Sequence, residues 1–417
     1  MAETTPKLML AAVEPSADAL GASLIRSLRE QGAHAELIGC GGPLMAAEGF
    51  ESAFDTSQFS VMGFTDVAKV LPAAWARSRE MAAICAEQSV DVAVFVDGWS
   101  FSRLAAKRIR QRAPQTKIVK FAAPQVWASR PERVDFVRDH FDLVLTLLPF
   151  EPPFFERVGV EAVFVGNPNF EQVAATPRSG QAFREQHNLG NAPLLILLPG
   201  SRKGEVTRLL TPFAEAAKQT MAKVPGLKVA IAVAPAVRDF VTAQVANWSF
   251  DPVIVDAAGR FDAFAAADAA LAASGTVTTE LAITETPMVV AYRVDALTAF
   301  WAKQVLVTPY VSILNNYANE MVIPERLQQD CTPEQLSADL CRLFMDEEVR
   351  RKQLSAFRRL LPGLIGAGDA SGIAAREVIR LLQGEDRIHL DSGAQGQGGN
   401  ADSRAGMAPG ITHRGNH

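Results

Sequence analysis

The sequence predicts an α/β protein of two doubly wound, Rossmann-like units, each a parallel sheet with helices on both faces. The first observation is the length of 417 residues, which suits two domains. The second is the composition, because 48% hydrophobic and 21% charged residues are typical of a globular protein with large cores. The third is a repeated alternation of short apolar runs with longer amphipathic stretches, since parallel strands need helical crossovers.

The first unit begins with a strand at residues 8–13, a continuous apolar run of the kind that is buried on both faces of a parallel sheet. The helix predicted at 18–30 places Leu20, Leu24 and Leu28 on one stripe. The other predicted elements are strands at 35–39, 91–96, 117–121 and 142–147 and helices at 103–112 and 131–138.

The second unit repeats this alternation after Pro168. A polar stretch at 167–179 that contains two prolines is the predicted hinge, which divides the chain into domains 1–168 and 169–360. The elements predicted for the second unit are strands at 194–198, 228–232, 253–255, 269–272 and 287–291 and helices at 205–224, 237–248, 276–284 and 296–306.

The end of the chain is predicted to be helical and then disordered. We expect the segment 361–384 to form a separate C-terminal helix that packs back on the body of the protein. Beyond Gly384 the composition shifts to Gly, Ser, Asn and Gln, so 385–417 is expected to be disordered and to have no catalytic role. The helices predicted in this region lie at 333–345, 347–360 and 369–383.

Composition and spacing exclude several function classes. The net charge of −5 gives no support for nucleic-acid binding. No apolar stretch approaches the about 20 residues that cross a bilayer, and 8–13 is too short for a signal core, so we expect a cytoplasmic protein. The four cysteines and six histidines show no metal-ligand or catalytic-triad spacing. No Walker lysine loop or GxGxxG follows the first strand, which argues against an ATPase or a dinucleotide-dependent dehydrogenase.

The strongest local signal is the segment 198–202 (LPGSR), which follows an apolar strand and precedes a helix. Free amides at the start of a helix favour an anion, and Arg202 adds a fork of donors suited to a phosphate. An ordinary tight turn with Ser201 as the N-cap is the alternative.

A second turn of the same kind follows another strand, at Ser274, Gly275 and Thr276. Glu280 lies one helical turn further on, where its carboxylate could accept hydrogen bonds from ribose hydroxyls, and a solvated helix residue is the alternative. Two anion-binding turns at the carboxyl ends of strands in one unit favour a nucleotide cleft.

Acidic residues follow two strands of the first unit. Glu14 and Asp18 bracket a tight turn that contains Ser16, and Asp18 as the N-cap of the next helix is the alternative. Asp97 follows the strand at 91–96, where an acid is costly unless it has a function. We therefore predict a general base at Asp97, with a buried acid that caps the following turn as the alternative.

Two further segments suggest a lipid surface. The segment 61–75 is more apolar than a helix buried on one side requires, and a core helix is the alternative. Residues 103–133 are rich in Lys and Arg, with Glu132 as their only acid, and a solvated face is the alternative. Basic groups beside an apolar groove suit an acylated, phosphorylated substrate at an anionic leaflet.

Short motifs run along the chain in a fixed order. They are EPSADALG at 14–21, GGPLMAAEG at 41–49, VMG at 61–63, Asp97, PQVWA at 124–128, LPFE at 148–151, LPGSR at 198–202, ASGT at 273–276 with Glu280, PMVV at 287–290 and YVS at 310–312. In this order they resemble the lipid A disaccharide synthases, inverting glycosyltransferases of the GT-B architecture in which two units face a cleft. The resemblance covers residues 8 to about 383.

The resemblance implies transfer of a diacylglucosamine from UDP to a diacylglucosamine 1-phosphate, giving a β-1,6-linked disaccharide and UDP. Asp97 would activate the acceptor 6-hydroxyl, with Glu14 and Asp18 beside it. No metal or other cofactor is implied, and the chain has no Asp-x-Asp pair to hold a metal. The substrate-binding residues implied are Ser16, Ser201, Arg202, Ser274, Gly275, Thr276, Glu280 and Asn315.

The resemblance also implies a homodimer with exchanged C-terminal segments, peripheral on the cytoplasmic face of the inner membrane. The sequence departs from the family pattern mainly on the acceptor side, so donor binding is the firmer expectation. The alternatives are a diverged paralogue that binds a UDP-sugar with altered acceptor or little turnover, and a UDP-sugar 2-epimerase, although no suitable histidine accompanies 274–280. The departures are Ala17, Gly98-Trp99-Ser100, Ser129, Asn167 and Asn319-Glu320-Met321.

Overall fold

The computed structural model describes residues 5–59, 67–295 and 306–385. Its first unit is a six-stranded parallel sheet in the order β2-β1-β3-β4-β5-β6. The strands are β1 Lys7–Ala12, β2 Glu36–Cys40, β3 Val92–Val96, β4 Lys117–Phe121, β5 Leu143–Thr146 and β6 Glu161–Phe164. The helices are α1 Pro15–Glu30, α2 Pro43–Ala47, α3 Val67–Glu87, α4 Trp99–Arg112, α5 Arg133–His140 and α6 Pro152–Glu156. Apolar side chains on the two faces of this sheet form two separate cores under the helices.

The second unit is also a six-stranded parallel sheet, in the order β12-β11-β10-β7-β8-β9. Its strands are β7 Leu194–Leu198, β8 Lys228–Ala232, β9 Val253–Val255, β10 Ala269–Ala273, β11 Met288–Tyr292 and β12 Glu325–Leu327. Its helices are α7 Pro168–Ala175, α8 Gly180–Gln186, α9 Lys203–Met221, α10 Arg238–Val245, α11 Arg260–Ala266, α12 Val277–Ile283, α13 Ile313–Ala318, α14 Pro333–Met345 and α15 Glu347–Ile365. The predicted fold class of two doubly wound α/β units is confirmed.

Several predicted boundaries differ from the structure for local reasons. Helix α1 begins at Pro15 rather than at residue 18, because a proline fits the first turn of a helix, where no intrahelical N–H bond is needed. Glu14 is its N-cap, so the alternative that Asp18 caps α1 is wrong. The stretch 167–179 is partly helical, since Asn167 accepts hydrogen bonds from Asn169 N and Phe170 N and thereby starts α7.

The last helix, α16 Ala370–Leu382, leaves the second unit and packs on α1 and against β3 and β4. Its Ala374, Ala375 and Val378 are buried in a core of the first unit. The chain crosses between the units where Gly166 and Gly366 touch, and a Cβ on Gly366 would lie 2.9 Å from the Gly166 Cα. Both glycines have positive φ, so only residues without a Cβ allow this crossing.

Some expectations fall outside the described residues. These are the motif at 61–63 with the start of the segment 61–75, most of the helix predicted at 296–306, and the tail at 386–417. Within the described part, no helix is long and apolar enough to span a membrane.

Candidate active site

The two small-residue turns of the second unit line one cleft. Their strands, β7 and β10, are direct neighbours in the sheet, with Leu198 paired to Ala272 near the carboxyl ends. The turn after β7 and the turn after β10 therefore emerge side by side and enclose a cleft of about 490 Å³. Of the predicted residues, the lining includes Ser201, Arg202, Ser274, Gly275, Thr276 and Glu280.

The turn after β7 is shaped by Gly200 and closed by Glu205. Gly200 has a φ of +115°, and a Cβ there would lie 2.8 Å from Glu205 Oε2, so the turn requires glycine. Arg202, rather than Ser201, is the N-cap of α9, which corrects the alternative that Ser201 caps this helix. The Arg202 side chain is 69% exposed and donates to Glu205 Oε1 at 3.0 Å. Its guanidinium is therefore at the mouth of the cleft, with room for an anion.

The turn after β10 presents free backbone to the cleft. Ser274 Oγ donates to Val311 O at 3.2 Å, which fixes the start of the turn. Among the described residues, no heavy atom outside the chain neighbours of Gly275 lies within 4 Å of where a Cβ on Gly275 would stand. Glu280 projects from α12 into the same cleft, and burial raises the pKa of its carboxyl, while the nearby Arg260 opposes that rise.

Sequence reasoning missed Arg260 and Asp256 in this cleft. Arg260 Nε lies 3.4 Å from Glu280 Oε2, and its guanidinium carbon lies 4.2 Å from the centre of the Phe261 ring. Both missed residues follow β9, which ends at the same sheet edge as β7 and β10. The rule that ligands bind at the carboxyl ends of parallel strands could have found them, had it been applied to this third strand.

The acids of the first unit meet at the carboxyl ends of β1 and β3, which are also neighbours. Ser16 Oγ donates to Asp97 Oδ2 at 3.2 Å, so Asp97 and the turn after β1 are in contact. Asp97 has a φ of +45°, a conformation that L-residues seldom adopt, and Gly98 follows with a φ of +51°. Burial raises the pKa of Glu14, and the charge of Asp97 raises it further, although Lys120 opposes both.

Lys120 is a third residue that sequence reasoning missed, although it is a lysine within the buried part of strand β4. It is 1% exposed, and its ammonium donates to Asp97 O at 2.6 Å, Phe121 O at 3.2 Å and Phe95 O at 3.3 Å. Burial lowers the pKa of Lys120 to about 8, against the charges of Asp97 and Glu14. The ammonium therefore holds the strained Asp97 backbone and faces both acids.

Asp18 lies beside these acids but is directed away from them. Its carboxylate accepts hydrogen bonds from Gly42 N, Leu44 N and Met45 N at 2.8–3.0 Å, and the residue is 4% exposed. It thus caps α2, a helix of the neighbouring motif, rather than α1. A Cβ on Gly42 would lie 2.6 Å from Asp18 Oδ2, which explains why glycine occurs there.

Asn315 lies outside the cleft, and its side-chain amide is fully hydrogen-bonded to other residues of the protein. Its Oδ1 accepts from Val322 N and Ile323 N at 2.9 Å. Its Nδ2 donates to Ile323 O and Glu325 Oε1 at 2.8 Å. Two donors and two acceptor sites are the full capacity of this side chain, which is completely buried. The structure therefore does not place Asn315 with the other predicted substrate-binding residues.

One segment of the second unit contacts a loop at the carboxyl edge of each sheet. Leu306 forms a bridge with Ser129, and Val307 N donates to Ala128 O at 3.1 Å, both in the loop after β4. Five residues later, Val311 O accepts from Ser274 in the turn after β10. The carboxyl edges of the two sheets therefore share this segment, and they border the same space between the units.

Part of the predicted lipid-facing segment is exposed. Leu71 and Trp75 on α3 are 53% and 51% exposed, so the alternative that this helix lies in the core does not apply to them. The guanidinium carbons of Arg79 and Arg108 lie 4.7 and 5.0 Å from the centre of the Trp75 ring.

Comparison with known proteins identifies close relatives over nearly the whole chain. The family model for lipid-A-disaccharide synthetase matches residues 8–363. Lipid-A-disaccharide synthase of Ruegeria pomeroyi is 38% identical over 91% of this chain and 96% of its own length. The synthase of Rhodospirillum centenum is 36% identical over 90% of this chain and 94% of its own length.

Solved structures show the same fold at low sequence identity. A UDP-GlcNAc 2-epimerase from Neisseria meningitidis bound to UDP-GlcNAc has a TM-score of 0.59 at 8% identity, covering 90% of this chain and all of that chain. The calicheamicin glycosyltransferase CalG4 has a TM-score of 0.53 at 16% identity, covering 91% and 99%. At these sequence identities, the similarity between this chain and the solved structures concerns the fold alone. The two-unit glycosyltransferase architecture is thus confirmed.

Proposed function

Because this chain belongs to the lipid-A-disaccharide synthetase family, and so is a hexosyltransferase of lipid A disaccharide formation, we propose that it joins UDP-2,3-diacylglucosamine to 2,3-diacylglucosamine 1-phosphate. The observation that carries the finer proposal is the pair of small-residue turns that line one cleft at the carboxyl edge of the second sheet. A diphosphate fits there because amides, hydroxyls and a guanidinium converge where negative charge is stabilised.

In the proposed donor complex, the turn at 274–276 and Arg202 hold the diphosphate of the UDP-sugar. Glu280 accepts hydrogen bonds from the ribose hydroxyls, and Arg260 holds Glu280 in place through the contact at 3.4 Å. Arg202 now donates to Glu205, so it exchanges this partner for a phosphate oxygen when the donor binds. Ser201, exposed in the same turn, supplies a hydroxyl to the phosphate.

In the proposed transfer step, the acceptor 6-hydroxyl attacks the anomeric carbon of the donor while its proton moves to the Asp97 carboxylate. The new bond joins the acceptor oxygen to the anomeric carbon, and the bond that breaks joins that carbon to the diphosphate oxygen. The charge that develops on UDP is met by Arg202 and the amides of the turn. Ser16 and Lys120 position Asp97. Ser16 donates a hydrogen bond to the Asp97 carboxylate, and Lys120 donates one to the Asp97 backbone carbonyl.

Glu14 shares this site as a second carboxyl, and burial and the charge of Asp97 both raise its pKa. Asp18 takes a structural role in this proposal, because three backbone amides occupy its carboxylate. Asn315 is likewise assigned to the support of the loop that follows α13 rather than to substrate.

Membrane association through α3 is part of the proposal. The exposed Leu71 and Trp75, flanked by Arg79 and Arg108, combine apolar side chains with positive charge, which suits peripheral contact with the anionic cytoplasmic face of the inner membrane. A homodimer stays a prediction from the family resemblance, and light scattering of the purified protein tests it.

The experiment that tests the transfer step replaces Asp97 by Asn. We expect kcat for disaccharide formation to fall by about 10²–10⁴, the usual contribution of a general base, with an unchanged Kd for UDP. Asp91→Asn is the matched control, because Asp91 lies at the opposite end of the same strand and accepts a hydrogen bond from Lys7 N at 2.7 Å. Loss of UDP binding in Asp97→Asn, or undiminished turnover, would contradict the assigned role.

A further inference from the structure

Three arginines lie together at the carboxyl edge of the first sheet, beside the turn that contains Asp97. Arg103 lies on α4, whose first residue is Trp99. Arg130 lies near the end of the loop that leads from β4 into α5, and Arg133 is the first residue of α5. Helix α4 follows β3 and this loop follows β4, and the two strands are neighbours in the sheet. The basic segment that the sequence shows at 103–133 therefore folds so that its two ends meet near the proposed base.

A rigid aromatic ring holds the central arginine of this cluster. The guanidinium carbon of Arg133 lies 5.7 Å from the centre of the Trp99 ring, within reach of a cation–π interaction. The Trp99 ring is itself fixed, because it packs on Phe136 at 5.7 Å and on Phe141 at 6.5 Å between ring centres. Burial lowers the pKa of Arg133, and the charges of Arg130 and Arg103 lower it further, although Glu132 opposes them.

Glu132, next to Arg133 in the chain, is a carboxylate near the cluster, but among the described residues the cluster lacks the close ion pairs that other arginines of the same helices form. Arg110 on α4 lies 2.7 Å from Asp142, and Arg138 on α5 lies 2.8 Å from Asp135. In the part of the chain that the structure describes, none of the three clustered arginines forms an ion pair within 4 Å or a side-chain hydrogen bond with a carboxylate. Glu132 offsets part of the repulsion among these like charges, and an anion held between the guanidinium groups would offset more of it.

We propose that Arg103, Arg130 and Arg133 bind the phosphate monoester of the acceptor sugar, an inference that rests on the proposed transfer reaction. A phosphate monoester offers three strong acceptor oxygens and up to about two negative charges, which suit several guanidinium forks. In the acceptor, C1, which bears the phosphate, and C5, which bears the CH₂OH group, both flank the ring oxygen. The phosphate subsite must therefore lie within about the width of one sugar from Asp97, and Trp99 lies between Asp97 and Arg103 along the chain and packs against Arg133.

The test compares two acceptors with short acyl chains, used without vesicles: the 1-phosphate and the corresponding methyl glycoside, which has no phosphate. For the wild type we expect kcat/KM to favour the phosphate form at least about tenfold, as expected for charge-assisted hydrogen bonds. Arg133→Gln and Arg103→Gln should lose most of this preference by raising KM for the phosphate form, with kcat/KM for the methyl glycoside unchanged. Arg112→Gln, at the other end of α4, is the matched control and should keep the preference.

Calorimetric titration of the same two acceptors in the presence of UDP gives a readout that does not depend on turnover. If the wild type forms no disaccharide but binds the phosphate form preferentially, and Arg133→Gln abolishes that preference, the proposed function fails and the phosphate subsite stands. An unchanged preference in both Gln variants overturns the subsite, whether or not disaccharide forms.

A vesicle arm separates the acceptor phosphate from lipid headgroups. Sedimentation with vesicles of phosphatidylglycerol and phosphatidylcholine should show equal binding for wild type and Arg133→Gln. Weaker vesicle binding by the variant, together with an intact preference for the phosphorylated acceptor, would assign the cluster to the membrane surface and overturn the proposal.

Discussion

Replacement of Arg202 by Gln tests whether the cleft of the second unit is the donor site. The Arg202 side chain is 69% exposed at the mouth of the cleft, and Glu205, at 3.0 Å, is the protein group that it now contacts. A charge-assisted hydrogen bond contributes about 1.5–3 kcal/mol, and exchange of Glu205 for a phosphate offsets part of that. A net loss of about 2 kcal/mol corresponds to a roughly 30-fold increase in the Kd for UDP.

The same loss is measurable as ligand-induced stability. At a UDP concentration of about 100 times the wild-type Kd, UDP stabilises the folded wild type by about 2.7 kcal/mol. With a Kd about 30-fold higher, the stabilisation of Arg202→Gln falls to about 0.9 kcal/mol at the same concentration. Calorimetric titration gives the two Kd values directly, and urea denaturation with and without UDP gives the two stabilisation free energies.

Arg208→Gln is the matched control for this prediction. Arg208 lies further along the same helix, α9, and its guanidinium faces Asp295 at 3.4 Å, outside the residues that line the cleft. Its removal should leave the Kd for UDP within about twofold, because surface ion pairs contribute little. Equal Kd values for wild type and Arg202→Gln, or equal losses in both variants, would refute the assignment of the donor diphosphate to this turn.

Three further predictions concern buried charges. Asp18→Ala should lower the free energy of unfolding by about 3 kcal/mol or more in urea, because three amides lose their acceptor, with an unchanged Kd for UDP. Glu151, whose pKa burial raises from 4.5 to about 7, binds its proton more tightly in the folded state. Stability should therefore fall by up to roughly 3 kcal/mol as pH rises through that interval, and Glu151→Gln should flatten this dependence in urea titrations. Lys120, whose pKa burial lowers from 10.5 to about 8, should make stability rise over that interval, and Lys120→Met should remove the rise and lower kcat through the loss of its bond to Asp97 O.

The fold was largely predictable because most strands are buried on both faces and thus appear as continuous apolar runs. The two strands that the sequence analysis missed are β6, Glu161–Phe164, and β12, Glu325–Leu327, which form sheet edges. Edge strands are short and partly polar, and Glu325 uses its carboxylate to accept hydrogen bonds from Val311 N and Ser312 N at 2.9 Å. A search for hydrophobic periodicity therefore does not detect short edge strands that contain such polar residues.

The candidate site was predictable where backbone chemistry decides it. Small residues at strand ends indicate free amides, so both turns of the donor cleft could be predicted from local sequence. The roles of Asp18 and Asn315 depend instead on partners far along the chain, such as Met45 for Asp18 and Ile323 for Asn315. A family motif identifies such residues but does not say whether they contact the substrate or support the residues that do.

Lys120 is a residue of the candidate site that lies in the buried sheet and belongs to none of the short sequence motifs. A lysine ammonium in the middle of a parallel sheet is costly, and its three carbonyl partners offset only the loss of water as hydrogen-bond acceptor. The remaining compensation is electrostatic, since the Asp97 and Glu14 charges raise a pKa that burial lowers. The dependence is mutual, because the Lys120 charge opposes the rise in the pKa of Glu14 that burial and Asp97 cause. Removal of the ammonium would therefore raise the pKa of Glu14 further and release the Asp97 carbonyl, so the identity of one strand residue helps to set both the charge beside the proposed base and its position.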